Sequence, residues 1–283
     1  MRWQGRRGSR NIVDRRGMSA GRAGGVGGIG ILAVVLIGWF LGVDLTPLLT
    51  GGDGGGFQTS GTTEITEADE RAAQFVSVTL ADTEEVWTDI FRDQLGATYD
   101  PPQLVLFKGA TRSACGGASA ATGPFYCPPE EMAYLDTDFF VTMERRLGAG
   151  GDFAAAYVIA HEVAHHVQNE LGILGEVNAM RQRASQSESN ALSVRIELQA
   201  DCLSGIWARA AQAKFGSLEP GDIEEAMNAA AQIGDDTLQR NAGQVVRPHT
   251  FTHGTSEQRQ RWFARGYQSG DLNACDTFGA QQL

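Results

Sequence analysis

The stretch Val158-Ile159-Ala160-His161-Glu162-Val163-Ala164-His165-His166-Val167-Gln168 constrains this chain more than any other segment. Its apolar residues, recurring among the polar ones, read as a helix with a buried face. On a helix, residues four apart share a face, so His161 and His165 point the same way while Glu162 is turned about 100° from His161. A helix that buries two imidazoles and a carboxylate must satisfy them, and at this H-E-x-x-H spacing a metal ion does so. His166 lies about 100° round from His165, so it is expected to be partly exposed or to stand behind the metal face.

Zinc in a catalytic site takes three protein ligands and leaves one position for water, whose pKa falls from about 15.7 to about 7. Glu162 is suited to take the proton from that water and deliver it to a leaving amine. Glu170, Leu171 and Gly172 follow the motif and no histidine occurs before His249, which excludes the H-E-x-x-H-x-x-G-x-x-H type. The third ligand is therefore sought in Glu197-Leu198-Gln199-Ala200-Asp201, inside a helical pattern from about Glu188 to Phe215. Glu197 and Asp201 share a face, so Glu197 can bind zinc while Asp201 accepts from the free N–H of a ligating imidazole. Leu198, Cys202, Leu203, Ile206 and Trp207 make this helix largely apolar, which favours partnered acids over solvated ones.

His253 is the candidate donor to an oxyanion, because Thr252-His253-Gly254-Thr255-Ser256 reads as a Gly-containing turn before a helix that begins near Ser256. His249, after Pro248, is the alternative, and either histidine could instead cap or brace the turn.

SACGGASAATGPFYCPPEEMAYLD, AHEVAHHVQ, ELQADCLSGIWA and FTHGTSEQRQRWFARGYQSGD, together with the opening MRWQGRR, resemble the bacterial predicted neutral zinc metallopeptidases. These are gluzincin-like proteins with a single N-terminal membrane segment. The resemblance covers nearly the whole chain and implies metal-dependent hydrolysis of peptide bonds in a zincin-like domain. Glu197 to Asp201 is also similar to the E-x-x-A-D of integral-membrane zinc proteases, with His253 and Arg259 similar to the histidine and arginine that follow it there.

Charge divides the chain. Residues 1–22 carry seven arginines against Asp14, a net +6, and the whole chain carries −11, so the remainder is strongly acidic, which argues against nucleic acid as a partner. Val26 to Val43 contains no charged residue and approaches the length of a bilayer span, with arginines on the side that the positive-inside rule makes cytoplasmic. The expected organisation is a basic cytoplasmic N-terminus (1–25), an uncleaved transmembrane anchor (26–45), a Gly-rich linker (46–63) and an extracytoplasmic zinc metallopeptidase domain (64–283). A cleaved signal peptide fits less well, since no small-x-small site clearly follows Leu41 to Leu49.

The domain should be mainly α with a small β-sheet (α+β): helix from about Glu67 to Leu95, restarting near Asp82, then short β-like runs at Leu104 to Phe107 and Met132 to Leu135. Cys115 and Cys127 bracket a Gly- and Ala-rich loop without C-x-x-C spacing, which suggests one disulfide and leaves Cys202 with Cys275, in keeping with an external location. The expected protein is a membrane-anchored zinc peptidase with peptide or protein substrates. A zinc-clamped interaction module of the envelope and a zinc amidase acting on cell-wall peptides are the alternatives.

Overall fold

The computed structural model describes residues 1–17, 64–119 and 122–283. Helix α1 (Glu67–Ile90) begins at Thr66, whose hydroxyl accepts from the Asp69 N–H while the Asp69 carboxylate accepts from the Thr66 N–H. It runs unbroken through Asp82, where the sequence suggests a restart. Thr83 turns its hydroxyl back to the Leu80 carbonyl (2.7 Å), so it does not cap a new helix. A π-helical turn at Phe91–Leu95 then ends on Gly96 in the left-handed region, a conformation that glycine adopts without steric cost.

Strands β1 (Ile12–Asp14), β2 (Gln103–Phe107), β5 (Phe125–Cys127) and β6 (Met132–Asp136) form one sheet in the order β1-β2-β6-β5. β1, β2 and β6 are parallel, and β5 lies antiparallel at the edge. Between β2 and β5, β3 (Ala110–Ser113) and β4 (Gly116–Ser119) form a separate hairpin, tied to β5 by a Cys115–Cys127 disulfide. Seven more helices follow: α2 (Phe139–Leu147), α3 (Asp152–Glu170), α4 (Ile173–Arg181), α5 (Gln186–Phe215), α6 (Asp222–Gln232), α7 (Asp235–Asn241) and α8 (Ser256–Ser269). Among the described residues this is an α+β fold of eight α-helices around a small mixed sheet.

Helix α3 is buried along nearly all its length between the sheet and α5, which fits its high Ala and Val content. Helix α8 crosses α5 at two glycines. A Cβ at Gly205 would collide with the Phe263 carbonyl, and one at Gly266 with the Cys202 carbonyl, so the backbones meet where side chains are missing. A disulfide from Cys202 on α5 to Cys275 fastens the chain just beyond α8.

Residues 1–17 correct the expected topology. β1 is hydrogen-bonded to β2, and Arg6 makes a bidentate pair with Asp82 of α1 at 2.7 and 2.6 Å. Arg7 reaches Glu85, Arg16 reaches Asp14, Glu70 and the Asp69 carbonyl, and the Met1 α-ammonium lies 2.5 Å from Asp152 and 3.3 Å from Asp222. β1 therefore packs into the same sheet as the domain from which a membrane was expected to separate it. Among the described residues no helix is long and apolar enough to cross a membrane. The cytoplasmic N-terminus, the membrane partner and the single-pass, extracytoplasmic arrangement are therefore corrected. The run assigned as anchor (26–45) and the linker (46–63) lie outside the described residues. Arg6, Arg7 and Arg16, read with the other N-terminal arginines as a topology signal, are partners for acids on α1.

Candidate metal centre

Two helices build the site. The i, i+4 spacing on α3 brings His161 and His165 to one face, and α5 faces them with Glu197. His161 Nε2 lies 3.0 Å from one Glu197 oxygen and His165 Nε2 lies 3.5 Å from the other. One ligand atom from each residue falls within 4.8 Å of the other two. Each imidazole has its Nδ1 engaged elsewhere, His161 with Asp201 Oδ1 (2.9 Å) and His165 with Gln168 Oε1 (2.8 Å). Both Nε2 atoms are thereby turned to the cluster. Two imidazole nitrogens and a carboxylate oxygen are a donor set suited to a borderline-soft divalent cation, so these residues fit a zinc ion.

Burial works against charge on His161, but the hydrogen bonds and negative charge of Asp201 and Glu197 outweigh it and raise the imidazole to about 10. Burial also opposes ionisation of Glu197, yet the positive charges of His165 and His253 and the hydrogen bond from His161 hold it well below the usual carboxylate range. Glu162 is 8% exposed, and burial raises its carboxyl against the pull of His165 and His161.

Asp201 is fully buried on α5 and saturated with donors. Tyr157 Oη donates at 2.5 Å, and Arg259 of α8 donates through Nε at 2.8 Å and Nη2 at 2.9 Å. Burial would push this carboxyl up, and the Arg259 charge with the His161 hydrogen bond brings it down. Arg259 also holds the Tyr157 oxygen at 3.2 Å, so α3, α5 and α8 meet in one buried network behind His161.

His253 comes to the site from the turn before α8. Its pivot is Asp235, at the first turn of α7, whose Oδ2 accepts from the consecutive backbone N–H groups of Thr252, His253 and Gly254 at 2.8, 2.6 and 2.9 Å. The other oxygen lies 3.3 Å from His253 Nδ1. Gly254 adopts a φ of 95°, which the turn needs. His249 is not in the cluster; it lies in the 3-10 turn Pro248–Thr250, where its carbonyl accepts from Asn190 at 3.0 Å. Of the two placements open to His166, partial exposure is not found: it is buried, with Nδ1 at 2.9 Å from Tyr126 Oη and Nε2 at 2.7 Å from the Asp100 carbonyl.

Sequence reasoning missed Asp235, Tyr157, Gln168 and Gln199. Gln168 stands three residues after His165 and so on its face, a signal that was present. Asp235 meets His253 across 18 residues of chain, and no local period records that contact. A second acidic group, Asp152, Asp222 and Glu225, also converges, but the Met1 ammonium sits between two of its carboxylates.

An α+β fold whose paired buried helices converge two imidazoles and a carboxylate is of the zinc-peptidase type. The family model described as "Putative neutral zinc metallopeptidase" matches residues 1–278, and the chain belongs to that family. The chain is 49% identical to the protein YpfJ of Escherichia coli (strain K12) over 288 residues, 99% of each chain. It is 48% identical to the proteins Mb2605 of Mycobacterium bovis and Rv2575 of Mycobacterium tuberculosis over 195 residues, 65% of each chain. No solved structure matches it.

Proposed function

We propose that this protein is a zinc-dependent peptidase in which His161, His165 and Glu197 hold the metal and Glu162 is the general base. The carrying observation is the convergence of His161 and His165 on α3, the helix that also buries Glu162, with Glu197 on α5, one ligand atom from each lying within 4.8 Å of the others. Zinc would supply Lewis-acid polarisation of a carbonyl and lower the pKa of water to about 7. Glu162, one residue from His161 and with a raised pKa, takes the proton from the attacking water and returns it to the leaving amine. Asp201 fixes the His161 ring, and Arg259 and Tyr157 keep Asp201 ionised. His253, turned by Asp235, donates to the oxygen that gains charge, a contribution of about 2.7–4 kcal/mol for a preorganised donor.

The test is cleavage of a peptide library by the zinc-supplemented full chain, mapped by mass spectrometry. Wild type should cut peptide bonds, and Glu162→Gln should keep zinc and fold while turnover falls about 10²-fold or more. Zinc binding without cleavage of any peptide would turn the reading to a zinc-clamped interaction module, and unchanged turnover in Glu162→Gln would remove the mechanism.

A further inference from the structure

The two histidines of the cluster are oriented by different chemistry. His161 rests on a carboxylate. His165 rests on a chain of neutral amides: its Nδ1 meets Gln168 Oε1 at 2.8 Å, Gln168 Nε2 donates to Gln199 Oε1 at 3.0 Å, and Gln199 Nε2 donates to the Cys275 carbonyl at 3.1 Å. Gln168 Nε2 also donates to the Ile196 carbonyl at 2.8 Å, and Gln168 is fully buried.

The direction of every proton in this chain follows from its ends. The carbonyls of Ile196 and Cys275 only accept, so each must face an NH2 group. Gln199 therefore presents its oxygen to Gln168, and Gln168, with both N–H groups spent, presents its own oxygen to His165. An amide oxygen cannot donate, so His165 Nδ1 must carry the hydrogen. In the neutral ring, the form that binds a metal, the lone pair is then left on Nε2, the nitrogen that faces Glu197 at 3.5 Å.

We infer that Gln168, backed by Gln199 and the disulfide-held carbonyl of Cys275, is the positioning residue that makes His165 a metal ligand. Amides do this without adding a further carboxylate to Glu162, Glu197 and Asp201, where more negative charge would meet little compensation. The Cys202–Cys275 disulfide thereby becomes part of the support of the metal site, since it fixes the far end of the chain.

This inference rests on the metal site proposed above, and zinc affinity of the full chain, measured by competition with a chromophoric chelator, separates the two. A wild type that binds no zinc breaks the earlier reading. With wild type binding zinc, Gln168→Met should weaken affinity about 10- to 100-fold. Gln199→Met, which removes the backing amide but leaves the Gln168 oxygen on Nδ1, should cost less than Gln168→Met. A role in packing alone would instead lower the thermal stability of the metal-free protein in Gln168→Met and leave zinc affinity unmoved. Gln168→Met within about twofold of wild type, or Gln199→Met weaker than Gln168→Met, overturns the inference. If these variants do not fold, the imidazole 15N signals of zinc-loaded wild type decide: His165 protonated on Nδ1 supports it, and the opposite tautomer overturns it.

Discussion

Two buried aspartates, each gripped by both arms of an arginine, meet opposite fates in this molecule. Asp201, behind the metal cluster, has Arg259 at 2.8 and 2.9 Å and stays ionised below the usual carboxylate range. Asp82, under the N-terminal segment, has Arg6 at equally short range, yet burial raises it to about 6. The difference lies in the remaining donors. Asp201 also accepts from Tyr157 and His161, whereas Asp82 faces the repulsion of Glu85 and an arginine that is itself 23% exposed. An arginine alone does not offset the desolvation of a buried carboxylate, and a full set of donors does.

Removing each arginine breaks the comparison most sharply. Arg259→Met leaves a charge with no route to solvent, and urea unfolding of the metal-free chain should show a loss of about 3–5 kcal/mol. A loss below about 1 kcal/mol would mean that Tyr157 and His161 suffice. Next in size is the covalent tie beside Asp201. Replacing both Cys202 and Cys275 by alanine opens a loop with a sequence separation of 73 and should cost about 2–4 kcal/mol in the same assay. The same pair of changes should weaken zinc binding, because the Cys275 carbonyl is then free to move.

The smallest effect belongs to the N-terminal side and depends on pH. Asp82 has a folded pKa of about 6 against an ordinary 3.8, so the folded state holds its proton more tightly. Its contribution to stability is complete below about pH 4 and is lost as pH rises through about 6. Across that window the shift corresponds to at most about 3 kcal/mol. Asp82→Asn should remove this part of the decline when unfolding is compared at pH 4.5 and pH 7. An unchanged slope would show that Asp82 ionises freely in the fold.

The legible parts of the sequence were those whose signal is local. The long helix read from about Glu188 to Phe215 is found at Gln186–Phe215, and the spacings within His161–His165 and Glu197–Asp201 were enough to place each pair on one face. Partners supplied by tertiary contact were not legible. Asp235 reaches His253 through backbone amides, and Gln199 reaches Cys275 across 76 residues, so neither leaves a period or a motif. The N-terminal error has a related cause. Arg6, Arg7 and Arg16 announce positive charge without naming a partner, and a strand of only three residues, Ile12–Asp14, is too short to announce a sheet. Charge beside an apolar run was read as topology, when the arginines are used against Asp82, Glu85 and Glu70.

The central claim, that α3 and α5 together make one three-ligand zinc site, is tested most directly by equilibrium zinc titration of the purified full chain with metal analysis. The account predicts one zinc per chain in wild type, loss of it in Glu197→Ala, and full occupancy in His249→Ala and Glu162→Gln. A wild type without zinc, or occupancy that survives Glu197→Ala and disappears in His249→Ala, would contradict it.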